Sequence, residues 1–225
     1  MKTLLICGWT GRMGTEAAQM AAQFGFLARP FAPGETGDVT LDFSHPDCLE
    51  GLLPGAGPLV LGTTGYSPAQ QAEITAAART RPIFQAANFS PGIFALERLA
   101  RLSRRLLPEW ELSLIERHHA AKRDAPSGTA RQLCAALGLP SDLALSVRAG
   151  TVPGIHEITL YGPGETLTLT HAAEGRAAFA LGALRAAEWL LSQPPGLYGM
   201  ADMLLYKPRV MLYNHNGIQQ KKGRS

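Results

Sequence analysis

Cysteine is scarce in this 225-residue chain, and the three present, Cys7, Cys48 and Cys134, stand far apart. They form no disulfide framework and have no metal-ligand spacing, so free thiols in a reducing cytosol are the expected state. Aromatic residues make up 7% of the chain and charged residues 17%, with a net charge of +3. That charge is too small and too scattered for a nucleic-acid surface. The one basic cluster, Lys221-Lys222-Gly223-Arg224, reads as a solvated, mobile tail. No stretch approaches the ~18–20 apolar residues of a membrane span, and Met1 to Cys7 is too short for a signal-peptide core. A cytoplasmic protein without membrane or nucleic-acid partners is expected. What the chain has in quantity is glycine (24) and proline (16), on a 46% hydrophobic background that can fill one large domain or two modest ones.

The glycines are most telling near the N-terminus. Leu4 to Cys7 is a short apolar run, suited to a strand covered on both faces. It leads into Gly8-Trp9-Thr10-Gly11-Arg12-Met13-Gly14 and then a helical segment from Thr15 to Ala22. A strand, a Gly-rich turn and a helix N-terminus together form a phosphate-binding unit. The spacing is G-x-x-G-x-x-G rather than the commoner G-x-G-x-x-G, and such turns also serve packing alone; the position on the first strand favours a dinucleotide. The acidic residue that usually grips the ribose about 20 positions on is missing. Arg29 and Arg12 stand where guanidinium groups can receive a 2′-phosphate, although Arg29 also reads as merely exposed. NADPH or NADH is the expected cofactor, with a lean toward NADPH.

Three more short strands follow. They end in Asp42-Phe43-Ser44, in Gly62-Thr63-Thr64 and in Ala86-Ala87-Asn88-Phe89, with a helix from Ala69 to Ala78 between the last two. Ligands lie beyond the carboxyl ends of parallel strands, so these segments are predicted to line the same crevice as the Gly-rich turn. His45 is read as structural. The expected fold is α/β: a Rossmann-type parallel-sheet dinucleotide-binding domain over residues 1–89, then an α+β domain over 90–197 with a mixed, largely antiparallel sheet. Residues 198–225 are expected to rejoin the first domain. In the second domain, a helix is predicted from Ser90-Pro91 to about Leu107 and strands over 111–116, 145–149, 155–161 and 165–172. The last two strands are joined by Gly162-Pro163-Gly164, and another helix is predicted over Ala177–Leu191.

The densest chemistry lies in residues 116–131, where His118, His119, Lys122 and Asp124 precede Ser127-Gly128-Thr129 at a helix start. The helix start suits a carboxylate, Lys122 offers a cation or a proton, and either histidine titrates near neutrality. Asp124 either caps the helix or orients Lys122. A solvated loop before a capped helix is the plainer reading of the same residues. His156 and His171 are read as structural, and no metal site is expected.

The chain resembles the dihydrodipicolinate reductases, also called 4-hydroxy-tetrahydrodipicolinate reductases, in their short form. The likeness rests on the turn from Gly8 to Gly14, Asp42-Phe43-Ser44, Gly62-Thr63-Thr64-Gly65, Ala87-Asn88-Phe89-Ser90 and, most specifically, Glu116 to Ala130. It implies reduction of 4-hydroxy-tetrahydrodipicolinate to tetrahydrodipicolinate in diaminopimelate and lysine biosynthesis. It assigns the proton to His118 and a second catalytic donor to Lys122. Substrate carboxylates fall to His119, Gly128 and Thr129. The cofactor falls to Gly8, Trp9, Thr10, Gly11, Arg12, Met13, Gly62, Thr63, Thr64, Ala86, Ala87, Asn88 and Phe89. A homotetramer built through the second sheet is also implied. The segment from Arg29 to Val39 is compressed relative to the family. Two other readings remain: a related NAD(P)-dependent dehydrogenase of another small amino or oxo acid, and a non-catalytic dinucleotide sensor. The sensor predicts replacement of the catalytic His and Lys, and both are present.

Overall fold

In the computed structural model, residues 1–205 are described; the expectations for residues 206–225, the basic cluster near Lys221 among them, lie outside the described residues. The chain runs β1 (Lys2–Cys7), α1 (Arg12–Met20), β2 (Phe26–Pro30), β3 (Val39–Asp42), α2 (Leu49–Leu52), β4 (Leu59–Leu61), α3 (Pro68–Ala77) and β5 (Pro82–Gln85). It continues with α4 (Pro91–Leu106), β6 (Glu111–His118), α5 (Gly128–Leu137), β7 (Ala144–Arg148), β8 (Gly154–Gly162), β9 (Glu165–Ala173), α6 (Ala177–Leu190), β10 (Gly196–Tyr198) and α7 (Met200–Leu205).

The first sheet has the order β10-β5-β4-β3-β1-β2, and all its pairings are parallel. Its central strands are apolar runs because both faces are covered: Leu4, Ile6, Val39, Leu41 and Leu59 to Leu61 are buried. The strand order reverses beside β1, which opens a crevice at the carboxyl ends of β1 and β3. The second sheet has the order β7-β6-β8-β9, antiparallel except for the β6–β7 pair. Its inner face packs on α4 and α5 through Ile93, Leu96, Leu114, Leu133 and Ile158.

Two expectations need correction. Helix α6, expected in the second domain, packs on the first sheet: Ala180, Ala183, Leu184 and Ala187 share a core with Leu4, Ile6 and Phe84. Its small residues are the reason. A Cβ at Gly182 would stand 1.9 Å from the Phe89 carbonyl oxygen, so only glycine lets the helix approach that backbone. In addition, β6 runs on to His118, which is therefore held on a strand rather than a loop.

An unforeseen buried cation ties the first sheet to its loops. Arg81, 4% exposed, donates to the carbonyls of Gly57 (2.6 Å), Leu52 (2.9 Å) and Leu53 (3.3 Å), and burial lowers its pKa to about 10. Arg81→Met is expected to lower unfolding free energy by about 2–4 kcal/mol, because the orphaned carbonyls lose their donors. Urea titration checks this; an unchanged midpoint would mean that water replaces the guanidinium.

Candidate active site

The turn after β1 is built around close backbone contacts. Gly8 has φ +82°, and a Cβ there would lie 2.3 Å from the Phe43 carbonyl oxygen; one at Gly14 would lie 2.2 Å from the Gly8 carbonyl oxygen. Gly11 precedes α1 and offers no side-chain cap, so the first N–H groups of the helix remain available to an anion. Arg12, Met13, Gly62, Thr63 and Thr64 line a cavity of about 660 Å³ together with Phe43, Ser44, His45, Pro46 and Gly65. The strand ends are tied to one another: Ser44 N donates to Thr63 Oγ1 (3.0 Å) and to buried Asp42 Oδ1 (3.0 Å), and Tyr66 OH donates to Asp42 Oδ2 (3.2 Å). His45, read as structural, thus belongs to the cavity wall.

Other expected cofactor residues stand apart from that cavity. Gly8, Trp9, Thr10 and Gly11 shape the turn behind it, and Arg29 is exposed on β2. Ala86, Ala87, Asn88 and Phe89 connect β5 to α4. The Phe89 ring is 3% exposed and packs against Phe43 and Phe84, with ring centroids 5.8 and 5.9 Å apart. Its side chain is core, leaving its backbone for any ligand contact. A glycine cradle and an uncapped helix start above a polar cavity fit a dinucleotide pyrophosphate.

Across from this crevice lies the segment after β6. Ser127 caps α5, its Oγ accepting from Ala130 N (3.1 Å), and Gly128 and Thr129 form the first turn. Thr129 Oγ1 accepts from Asn88 Nδ2 (3.0 Å), which joins the expected substrate and cofactor sides directly. Lys122 Nζ pairs with Asp124 Oδ1 (2.7 Å), so Asp124 orients the lysine while Ser127 does the capping. Burial alone would raise the Asp124 carboxyl, but the Lys122 contact prevails and holds it low. His119 is half-buried at the start of the loop, its carbonyl accepting from Lys122 N (3.1 Å).

His118 sits on a buried polar network that the sequence reading did not assemble. Glu116 is fully buried, and its Oε1 accepts from Ser127 N (3.0 Å), Ser146 Oγ (2.7 Å) and Arg148 Nη2 (2.6 Å). Its Oε2 lies 2.6 Å from His118 Nδ1, an ion-pair distance, but the contact lacks hydrogen-bond geometry and neither atom has a hydrogen-bond partner. Burial opposes the charge of Glu116, but the donors from Ser146, Arg148 and Ser127 bring its pKa down to about 2. Burial lowers His118, with Glu116 opposing, and pushes His156 down to about 4. The His118 and His156 rings meet edge to face, 5.3 Å apart. Ligand atoms of Glu116, His118 and His156 all lie within 4.8 Å of one another. The 2.6 Å contact between Glu116 Oε2 and His118 Nδ1 is closer than the roughly 3.4 Å between two ligands held about 2.1 Å from a tetrahedral zinc ion, so these two atoms are not placed to share one.

The signal that would have found Glu116 is the period of a strand: residues i and i+2 share a face, so Glu116 and His118 do. Register adds the rest, with His156 and Ser146 opposite Glu116 and Arg148 opposite His118.

Comparison with known proteins gives this arrangement its context. Residues 30–89 match the family described as dihydrodipicolinate reductase, N-terminus, and residues 92–204 match its C-terminus. The chain belongs to the dihydrodipicolinate reductase family. It is thereby an NAD(P)H-dependent oxidoreductase of diaminopimelate and lysine biosynthesis. The 4-hydroxy-tetrahydrodipicolinate reductase of Caldanaerobacter subterraneus subsp. tengcongensis is 31% identical, with 91% of this chain and 98% of the relative covered. The Thermomicrobium roseum enzyme of the same name is 40% identical over 84% of this chain and 83% of its own. A dipicolinate-bound dihydrodipicolinate reductase from Paenisporosarcina sp. TG-14 shares the fold, with a TM-score of 0.74 at 22% identity, covering 91% of this chain and 99% of that one. The matched residues of this reductase family include the segment from His118 to Asp124, while the turn from Gly8 to Gly14 precedes them.

Proposed function

We propose that in the reduction of 4-hydroxy-tetrahydrodipicolinate to tetrahydrodipicolinate, in which the 4-hydroxyl leaves as water, His118 supplies the proton and Lys122 a second donor. His119, with the α5 start at Gly128 and Thr129, holds the substrate carboxylates. Bound NADPH or NADH supplies the hydride, held by the turn from Gly8 to Met13, the backbone of residues 62–64 and that of residues 86–89. Arg12 and Arg29 are both exposed at this end of the sheet and favour NADPH of the two. The observation that carries this reading is the Asn88–Thr129 hydrogen bond, which sets the strand-end crevice against the helix start. The first sheet with α6 and β10 is the cofactor half, and the second sheet with α4 and α5 is the substrate half. Purified protein coupled to dihydrodipicolinate synthase is expected to oxidise NADPH, and NADH more slowly. Oxidation of neither would sink the reading.

We also propose a cytoplasmic homotetramer. The described residues contain no helix long and apolar enough to cross a membrane, and Cys7, Cys48 and Cys134 are free thiols. The outer face of the second sheet exposes Leu145 (59%), Val147 (43%) and Tyr161 (44%) among polar neighbours such as Arg117 and Glu157, and exposed apolar side chains on one sheet face support association. Leu145→Glu is expected to lower the mass seen by light scattering while leaving the fold, read by circular dichroism, intact. An unchanged mass would place the interface elsewhere.

A further inference from the structure

Glu116 is absent from every role assigned above, yet it is fully buried, ionised and shared between the two ends of the substrate loop. Three donors crowd its Oε1: the backbone N–H of Ser127 at the α5 start, the Ser146 hydroxyl and the Arg148 guanidinium. The same Arg148 Nη2 also donates to the Asp124 carbonyl (2.6 Å), which closes the loop from the other side. Oε2 faces His118 Nδ1 alone. A carboxylate offers no proton, so the proton on that 2.6 Å contact belongs to the imidazole. The remaining nitrogen, Nε2, lies beside Gly154, where even a Cβ would come within 3.0 Å of it; no side chain of that residue covers Nε2.

We propose that Glu116 is the positioning residue for proton transfer, holding His118 with Nδ1–H inward on Oε2 and Nε2 outward, while Oε1 fixes the α5 start that receives the substrate. The proposal rests on the reading of His118 as proton donor. Its chemistry is that of any imidazole whose tautomer is set by the partner of its other nitrogen. Proton release from Nε2 leaves a neutral Nδ1–H ring already paired with a carboxylate, so the return of the proton needs no ring rotation.

Glu116→Gln separates this role from a merely structural one. The donors at Ser127, Ser146 and Arg148 retain the amide oxygen on their side, so the amide NH₂ turns toward His118 Nδ1. Neutral His118 must then accept at Nδ1 and carry its proton on Nε2. Long-range nitrogen–proton NMR of the full-length protein is expected to show the Nδ1–H tautomer in the wild type and the Nε2–H tautomer in the variant. Turnover is expected to fall about 10²-fold, near the lower end of what general acid–base catalysis contributes, with the substrate KM changed less than about threefold because the α5 start stays pinned. Four groups face His118: Glu116 on its own strand, Lys122 in the loop, Arg148 on β7 and His156 on β8. Of these, Glu116 alone favours the protonated ring, so the alkaline limb of the kcat profile is expected to move to lower pH. An Nε2–H wild type overturns the proposal even if the variant fails to fold. So does a variant that keeps the wild-type tautomer and alkaline limb, whatever its rate. Undiminished turnover in His118→Gln would instead remove the proton-donor reading and the proposal with it, a failure told apart by a wild-type tautomer that is still Nδ1–H.

Discussion

His118→Gln is expected to lower kcat about 10²–10³-fold while leaving the dissociation constant for NADPH within about twofold of the wild type. Glutamine retains a side-chain amide of similar reach but has no proton to give at neutral pH, so proton delivery to the substrate is lost. Cofactor binding is insulated because His118 ends β6 in the second sheet, while the cavity walls come from the ends of the first. Equal loss of turnover and cofactor affinity would make His118 structural. The pH dependence supplies an independent check. The donor is active when protonated, so activity falls as pH rises through the His118 pKa. In the free enzyme burial holds that pKa below its ordinary value. Two substrate carboxylates nearby favour the imidazolium, so the alkaline limb of kcat is expected at higher pH than that of kcat/KM. Coincident limbs would show that the substrate dianion does not approach His118.

Why the sequence revealed some of this and not the rest follows from the range of the interactions. The Gly8–Gly14 turn and the Ser127-Gly128-Thr129 helix start are local: strand, glycine and cap stand within a few residues of one another, and each has its own signature. The strand ends at Ser44 and Thr63 were legible through a rule of parallel sheets that needs no contact to be known. The Glu116 network was not, because its members come from β6, β7, β8 and the α5 start, and only the register of the second sheet brings Arg148 and His156 onto the face of His118. Phe89 is a different case. A position at a strand end does not say which way its ring points, and here the ring fills the core between Phe43 and Phe84. Helix α6 was assigned by its place in the chain, whereas its run of alanines with Gly182 suits the close approach that the first sheet demands.

Gly14→Ala is expected to weaken NADPH binding more than about tenfold and to lower Tm by several degrees, for an overpacking cost of about 1–3 kcal/mol. Propensity alone argues the other way, since alanine inside a helix is favoured over glycine by about 0.8–1.0 kcal/mol. Geometry decides between them. A methyl at residue 14 would meet the Gly8 carbonyl oxygen at 2.2 Å, and backbone cannot rotate aside as a side chain can. Relief requires α1 to retreat from the turn, yet Ala17 on α1 is fully buried in the core that α6 also fills, so the helix has little room to move. Displacement of α1 carries its uncapped N–H groups away from the pyrophosphate, which couples the packing defect to affinity. Gly11→Ala provides the contrast, because its Cβ would stand 3.1 Å from the same oxygen and a few tenths of an ångström of adjustment suffice. Gly8→Ala should be at least as harmful as Gly14→Ala, since it adds a positive φ to a 2.3 Å clash with the Phe43 carbonyl. Calorimetric melting with fluorescence titration of NADPH ranks the three. Equal effects at residues 11 and 14 would mean that the turn yields as a whole and that its glycines serve flexibility rather than close approach.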